Sequence, residues 1–305
     1  MKIMVVGVGG VGGYIASILC DSYEKDVTLV ARKDRGAALK KQGLVLHSEF
    51  HGEHVYHPAI VETPNQAPEQ DVIFVCVKNY SLEKALASLK NCMRAKTILV
   101  LIMNGVEHDG LVEKILPHTR LVSSAMYITS AYNKDYSIKH MGKFARIFLG
   151  SNDKEAEQIV YELLHKEGLS CHISEDVRAE EWKKYVLNCA YNVITAYYET
   201  TIGGVFDKPQ GKEEFRTLLQ ESYNVGKALG VKLPADLVEV TNDRLLKQEN
   251  KNVSSSLARD VIAKRQSELE TFSGYLVETA HRLHVEVPLS EKLYKELKER
   301  CSKFA

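Results

Sequence analysis

Apolar residues come in short unbroken runs through the first half of the chain and recur every three or four positions through the second. The segments 3–6, 26–30, 71–77 and 97–103 have strand length and little alternation, which predicts strands covered on both faces, as in a parallel sheet. Helical spacing is predicted from Tyr14 to Leu19, over 82–89, and from about 107 to 116, where Pro117 stops it. Strand and helix alternate, so a doubly wound α/β sheet is expected. From 121 to 149, several short segments rich in Tyr, Ile, Phe and Ser predict antiparallel strands extending that sheet. A helix over 154–166 and a short strand over 169–173 complete this half. Beyond about Glu175 the strands stop. Helical spacing covers 178–198, 212–229, 235–246, 257–283 and 289–301, punctuated by Gly230, Pro234 and Pro288. Two domains are therefore expected: 1–174, α/β, and 175–305, all-α.

Gly7-Val8-Gly9-Gly10-Val11-Gly12 follows directly on the first predicted strand and opens the first predicted helix. A glycine turn alone carries little weight, but this one has a strand, a helix and a second strand at βαβ spacing around it. Gly7 permits the tight turn, Gly9 lets the backbone approach a pyrophosphate, and Gly12 lets the helix pack on the strand. The N–H groups at the helix start, from Val8 through Gly10 and Val11, meet the phosphate charge. Many NAD-binding folds carry an acidic residue for the ribose 2′-hydroxyl after the second strand. This chain has Ala31-Arg32-Lys33 there, with Arg35 close behind. Cationic groups attract a 2′-phosphate, so NADP(H) is the expected cofactor, with Arg32 at that phosphate. An ordinary charged loop is the plainer alternative.

Composition narrows the partners. The chain has 305 residues, enough for two cores, and its 40 Lys and Arg balance its 40 Asp and Glu. Nothing in that balance calls for nucleic acid or an anionic membrane. The six cysteines form no CxxC pair and the histidines no HExxH motif, so reduced cysteines and no metal site are expected. Met1-Lys2 leads straight into the first strand, and no apolar run is long enough to span a bilayer, so a soluble cytoplasmic protein is expected.

Candidate chemistry lies in both halves. Lys78 and Asn104 each come just after a predicted parallel strand, where open α/β sheets bind ligands. Turn chemistry alone would also explain Asn104-Gly105. In the helical half, Lys184, Asn188 and Asn192 fall at i, i+4 and i+8, one stripe of a helix. Such a stripe is often a solvent face. Here no charged residue occurs between Lys184 and Glu199, and asparagine is a poor helix former. One ammonium and two amides set in apolar surface suit a small anion. Ser254-Ser255-Ser256 reads first as a helix N-cap, and its N–H groups and hydroxyls could also hold a carboxylate. Glu268 by itself reads as a surface residue.

Taken in order, the glycine motif, Val77-Lys78, Asn104-Gly105, the 182–196 helix and the Ser256…Glu268 pair resemble the ketopantoate reductase (2-dehydropantoate 2-reductase) family over nearly the whole chain. The resemblance implies an α/β Rossmann dinucleotide-binding domain followed by an all-α domain, a 6-phosphogluconate dehydrogenase-like fold, with the active site in the cleft between them. It implies NADPH-dependent reduction of 2-dehydropantoate to pantoate, a step of pantothenate biosynthesis, by a possible homodimer. Lys184 would be the catalytic lysine and Glu268 the active-site glutamate. Asn188, Asn192 and Ser256 would bind substrate, Asn104 would lie near both nicotinamide and substrate, and Ser130 would contact the cofactor. One position departs: many members have proline after the second helix asparagine, where this chain has Val193. Reduction of another branched 2-oxo acid, or NADPH sensing without turnover, are the alternatives.

Overall fold

The computed structural model describes residues 1–302, apart from the side chain of residue 144. It falls into two compact units, Met1–Glu180 and the remainder from Glu181.

In the first unit the strands are β1 (Ile3–Val6), β2 (Val27–Val30), β3 (Leu44–Ser48), β4 (Gly52–Tyr56), β5 (Ala59–Val61), β6 (Val72–Val75), β7 (Ile98–Leu101), β8 (Arg120–Tyr132), β9 (Ile138–Gly150) and β10 (Ser170–Ile173). The helices are α1 (Gly10–Tyr23), α2 (Lys33–Gln42), α3 (Leu82–Leu89), α4 (His108–Ile115) and α5 (Lys154–Leu164). Six strands run parallel in the order β5-β2-β1-β6-β7-β8, and the order reverses between β1 and β6. That is the doubly wound dinucleotide-binding arrangement. Alternate residues of each strand feed opposite cores. Ile3, Val5 and Phe74 pack with α1 and α5, while Met4, Val6, Ile73 and Val75 pack with α3 and α4.

The 121–149 segment differs from expectation in length. It forms two long antiparallel strands, β8 and β9, in place of several short ones, with an irregularity after Ile128 that shifts the register. The segment 33–61 has no element in the sequence reading. It holds α2, the β3–β4 hairpin and β5, and β3 joins the far edge of the sheet beside β9. These elements are hard to read for physical reasons. α2 contains few apolar residues, β4 is exposed along nearly its whole length, and β5 has three residues. The segment also contains a His47/His51 spacing of four, the separation that pairs two ligands on one face of a helix. It falls on a strand and a turn, where His47 pairs with Glu53 and His51 meets the Tyr14 hydroxyl.

The second unit is helical: α6 (Val177–Tyr197, which begins at the end of the first unit), α7 (Ile202–Phe206), α8 (Gly211–Ala228), α9 (Leu237–Lys247), α10 (Ser256–Ile262), α11 (Tyr275–Arg282) and α12 (Pro288–Cys301). α7 is an addition to the expected set. Trp182, Tyr185, Phe215 and Phe272 are the second unit's largest fully buried side chains. Glu221 of α8, itself buried, accepts hydrogen bonds from the Leu289 and Ser290 N–H groups and the Ser290 hydroxyl at the start of α12. A buried carboxylate facing a helix N-terminus satisfies both groups. The single helix expected over 257–283 is corrected: α10 ends at Ile262, and 263–268 is not helical. Helix resumes at Leu269 through a π turn, Glu270–Gly274, that leads into α11. The cluster Lys264-Arg265-Gln266-Ser267 has no apolar member to keep a buried face through this stretch. No described helix is long and apolar enough to cross a membrane.

Candidate active site

In the first unit, the glycine turn sits at the carboxyl end of β1. Gly7 has φ +97, and a Cβ there would lie 2.7 Å from the Cys76 carbonyl oxygen, so only glycine fits. A Cβ on Gly12 would fall on the Gly7 carbonyl oxygen, which is the close helix–strand packing expected of it. Gly9 precedes α1 and has nothing within 4 Å of its Cβ position, so its backbone offers an open approach. Gly10 adds something the motif did not: a Cβ there would meet the Ser130 and Ala131 backbone at 2.8–2.9 Å. Ser130 therefore lies directly beside the turn. Its Oγ is buried and lacks a hydrogen-bond partner.

The parallel register brings the other candidates of this unit to the same edge. Val6 pairs with Val30 and Val75, and Val75 with Leu101, so Arg32, Lys78 and Asn104 all leave the sheet at its carboxyl end. Arg32 is exposed just before α2. Arg35, one turn on, is half-buried, with its guanidinium 4.3 Å from the centre of the Tyr132 ring and 5.4 Å from that of Tyr136. Asn79, which the sequence reading left without a role, ties the edge together. Its amide donates to the Asn104 carbonyl (3.3 Å), and its Oδ1 lies 2.8 Å from His108 Nε2. Open Gly9, the unpartnered Ser130 Oγ and the α1 N-terminus fit a dinucleotide pyrophosphate.

In the second unit, the predicted stripe is real and mostly covered. α6 runs unbroken through Val193, which is buried, where proline would have removed a backbone donor. Asn192 is buried and fully engaged: its Nδ2 donates to Asn188 Oδ1 (3.3 Å), and its Oδ1 accepts from Ser256 Oγ (3.2 Å) and Leu257 N–H (3.3 Å). It therefore serves α10 as a partner for the orphan N–H groups of the first turn. The N-cap itself is Ser255, whose Oγ accepts from Ala258 N–H and from the Thr195 hydroxyl (2.7 Å). Ser256 is the first helical residue and half-buried, like Asn188 and Lys184.

Lys184 is held well below the range of an ordinary lysine. Desolvation lowers its pKa from 10.5 to about 8, while the carboxylates of Glu268 and then Glu181 pull it back up. Glu268 is only 3% exposed. The surface-residue reading of Glu268 is thus overturned, and a buried carboxylate lies within electrostatic reach of a desolvated ammonium. The structure joins Asn188, Asn192 and Ser256 by hydrogen bonds, and Glu268 with Lys184 by charge. Ser255 is the N-cap expected of its serine run, whereas Thr195 and Tyr185 support this cluster and were missed, because hydroxyls on a buried helix look like ordinary core filler in sequence.

The family model described as ketopantoate reductase PanE/ApbA matches residues 3–154, and its C-terminal counterpart matches 176–300. An uncharacterised oxidoreductase of Bacillus subtilis, YkpB, is 29% identical over 97% of this chain and 98% of its own. A 2-dehydropantoate 2-reductase of Pyrococcus horikoshii is 25% identical over 99% and 98%. D-mandelate dehydrogenase, solved with NADH and anilino(oxo)acetate, shares the fold at a TM-score of 0.89, with 18% identity over 100% of this chain and 99% of that one.

Proposed function

Because the chain belongs to the ketopantoate reductase family, an oxidoreductase family, we propose that it reduces a 2-oxo acid to the 2-hydroxy acid with NADPH, and that 2-dehydropantoate is the substrate. The observation that carries this reading is Lys184, an ammonium with a pKa near 8 set beside buried Glu268 and a stripe of amides.

A bound nicotinamide supplies the hydride. Negative charge then gathers on the substrate carbonyl oxygen, where the Lys184 ammonium stabilises it and hands over a proton. A pKa near 8 suits that transfer, since the group is still protonated at neutral pH and gives up its proton readily. The Asn188 amide donates to the substrate carboxylate, and Ser256 Oγ, whose proton goes to Asn192, accepts from a substrate hydroxyl. Asn192, with its amide oxygen already occupied, acts by fixing Ser256. Glu268 orients Lys184 or accepts a substrate hydroxyl. Gly7 through Gly12, Ser130, Lys78 and Asn104 hold the dinucleotide, and Arg32 attracts its 2′-phosphate.

The likeness to D-mandelate dehydrogenase, whose bound anilino(oxo)acetate is an aromatic 2-oxo acid analogue, favours one second reading: a bulkier 2-oxo acid on the same machinery. A sensor without turnover has no use for a desolvated ammonium, which is costly to bury. Loss of NADPH absorbance with a panel of 2-oxo acids tests all three. Turnover of 2-dehydropantoate supports the proposal, preference for an aromatic member supports the second reading, and no turnover of any member defeats both.

A further inference from the structure

This inference rests on the reductase reading and concerns what keeps Glu268 at Lys184. Helix resumes after Glu268 through a π turn in which the Tyr275 N–H reaches back to the Glu270 carbonyl. Such a turn fits an extra residue into one helical turn, is rare in proteins, and occurs often at functional sites. Here it is held from two sides. From α6, the Tyr185 hydroxyl donates to the Thr271 carbonyl at 2.7 Å, and Tyr185 is only 1% exposed. From α12, the Tyr294 hydroxyl donates to Glu270 Oε2 at 2.6 Å, and Lys298 lies 3.2 Å from the other carboxylate oxygen. Residue 274 must be small for this second clamp, because a Cβ on Gly274 would fall on Glu270 Oε2.

The tyrosine on the buried side follows Lys184 directly in α6. The carbonyl it grips is three residues past Glu268, and the Glu268 carbonyl accepts from the next N–H, that of Phe272 (3.1 Å). We propose that Tyr185 is a positioning residue: its bond to Thr271 fixes the π turn and so holds the Glu268 carboxylate to the Lys184 ammonium. Tyr185 touches no reacting atom in this scheme. Its effect reaches the chemistry only through the charge facing Lys184.

The test follows the Lys184 side chain by NMR in lysine-labelled protein without substrate, alongside the pH dependence of kcat/KM. In Tyr185→Phe, which keeps the ring and removes only the hydroxyl, the Lys184 midpoint falls by about half a pH unit or more as Glu268 withdraws. The alkaline limb of kcat/KM moves with it, and kcat drops about tenfold with KM changed far less. Glu268→Gln removes the charge outright and must move the midpoint the same way and at least as far. A Lys184 midpoint that stays in place in either variant overturns the proposal. Should Tyr185→Phe fail to fold, Tyr185→Met removes the same donor with a flexible apolar side chain in its place. A fall in the midpoint there supports the proposal, and an unmoved one overturns it. Wild-type protein that reduces no 2-oxo acid defeats the reductase reading instead, and the NMR midpoint still decides whether Tyr185 positions Glu268.

Discussion

The glycine turn of the first unit and the α6 cluster of the second are built in opposite ways. Around Gly7–Gly12 the site is made by leaving side chains out: at Gly7, Gly10 and Gly12 a Cβ would strike backbone atoms, and at Gly9 the space stays open. Around Lys184 the site is made by covering polar side chains, several of them satisfied by partners brought in from distant sequence, as in Asn192–Ser256 and Thr195–Ser255. The first kind of site tolerates no added volume at Gly7, Gly10 and Gly12. The second tolerates no lost partner, because a buried polar group left unpaired costs about 1–3 kcal/mol.

The largest expected effect separates chemistry from architecture. Lys184→Ala lowers kcat by about 10²–10⁴-fold, while circular dichroism shows the helices intact. Turnover close to wild type would remove Lys184 from the proposed mechanism. Next is cofactor choice: Arg32→Asp weakens NADPH by about 10–100-fold, the loss of a charge-assisted contact made worse by repulsion. NADH binding, measured in the same fluorescence titration, changes little. An equal loss for both cofactors would free Arg32 of the 2′-phosphate.

A pair of methyl groups sharpens the contrast within the turn itself. Gly9→Ala leaves Tm within about 3 °C, because open space receives the methyl, yet NADPH affinity falls. Gly12→Ala lowers Tm by about 5 °C or more, since helix and strand must part. Similar Tm values for the two would show that the turn is looser than its geometry.

The smallest effect concerns pH and has two opposite signs. The ammonium is the active form, so kcat/KM for reduction falls as pH rises through about 8, where Lys184 loses its proton. Stability runs the other way. Below about 8 both folded and unfolded chains hold the proton, and the folded one bears the full desolvation cost. Between about 8 and 10.5 only the unfolded chain stays protonated, so this group's contribution to stability climbs. Lys184→Met should therefore raise Tm by a few degrees at neutral pH, with the gain fading at high pH. A lower Tm at neutral pH would mean that the Glu268 partnership outweighs desolvation.

How much of this was legible beforehand follows the same division. The turn and the role of Gly12 could be read from the first dozen residues, because glycines forced by backbone contact are local facts, and the doubly wound class from the alternation of apolar runs with helical spacing after them. The α6 stripe was visible too, through its lack of charge after Lys184. The burial of Glu268 was not: its neighbours 264–267 are polar, and it stands in a helix break just before a π turn, which no periodicity announces. The hairpin β3–β4 escaped for a related reason, since a strand exposed on both faces leaves no alternation to find.

Burial of the Lys184 amine also has a chemical consequence outside catalysis. An amine that gives up its proton near pH 8 is a better nucleophile at neutrality than lysines left in water. Activated esters and aldehydes small enough to reach it should acylate or condense with Lys184 first. A covalent probe could then report on this one residue among all the lysines of the chain.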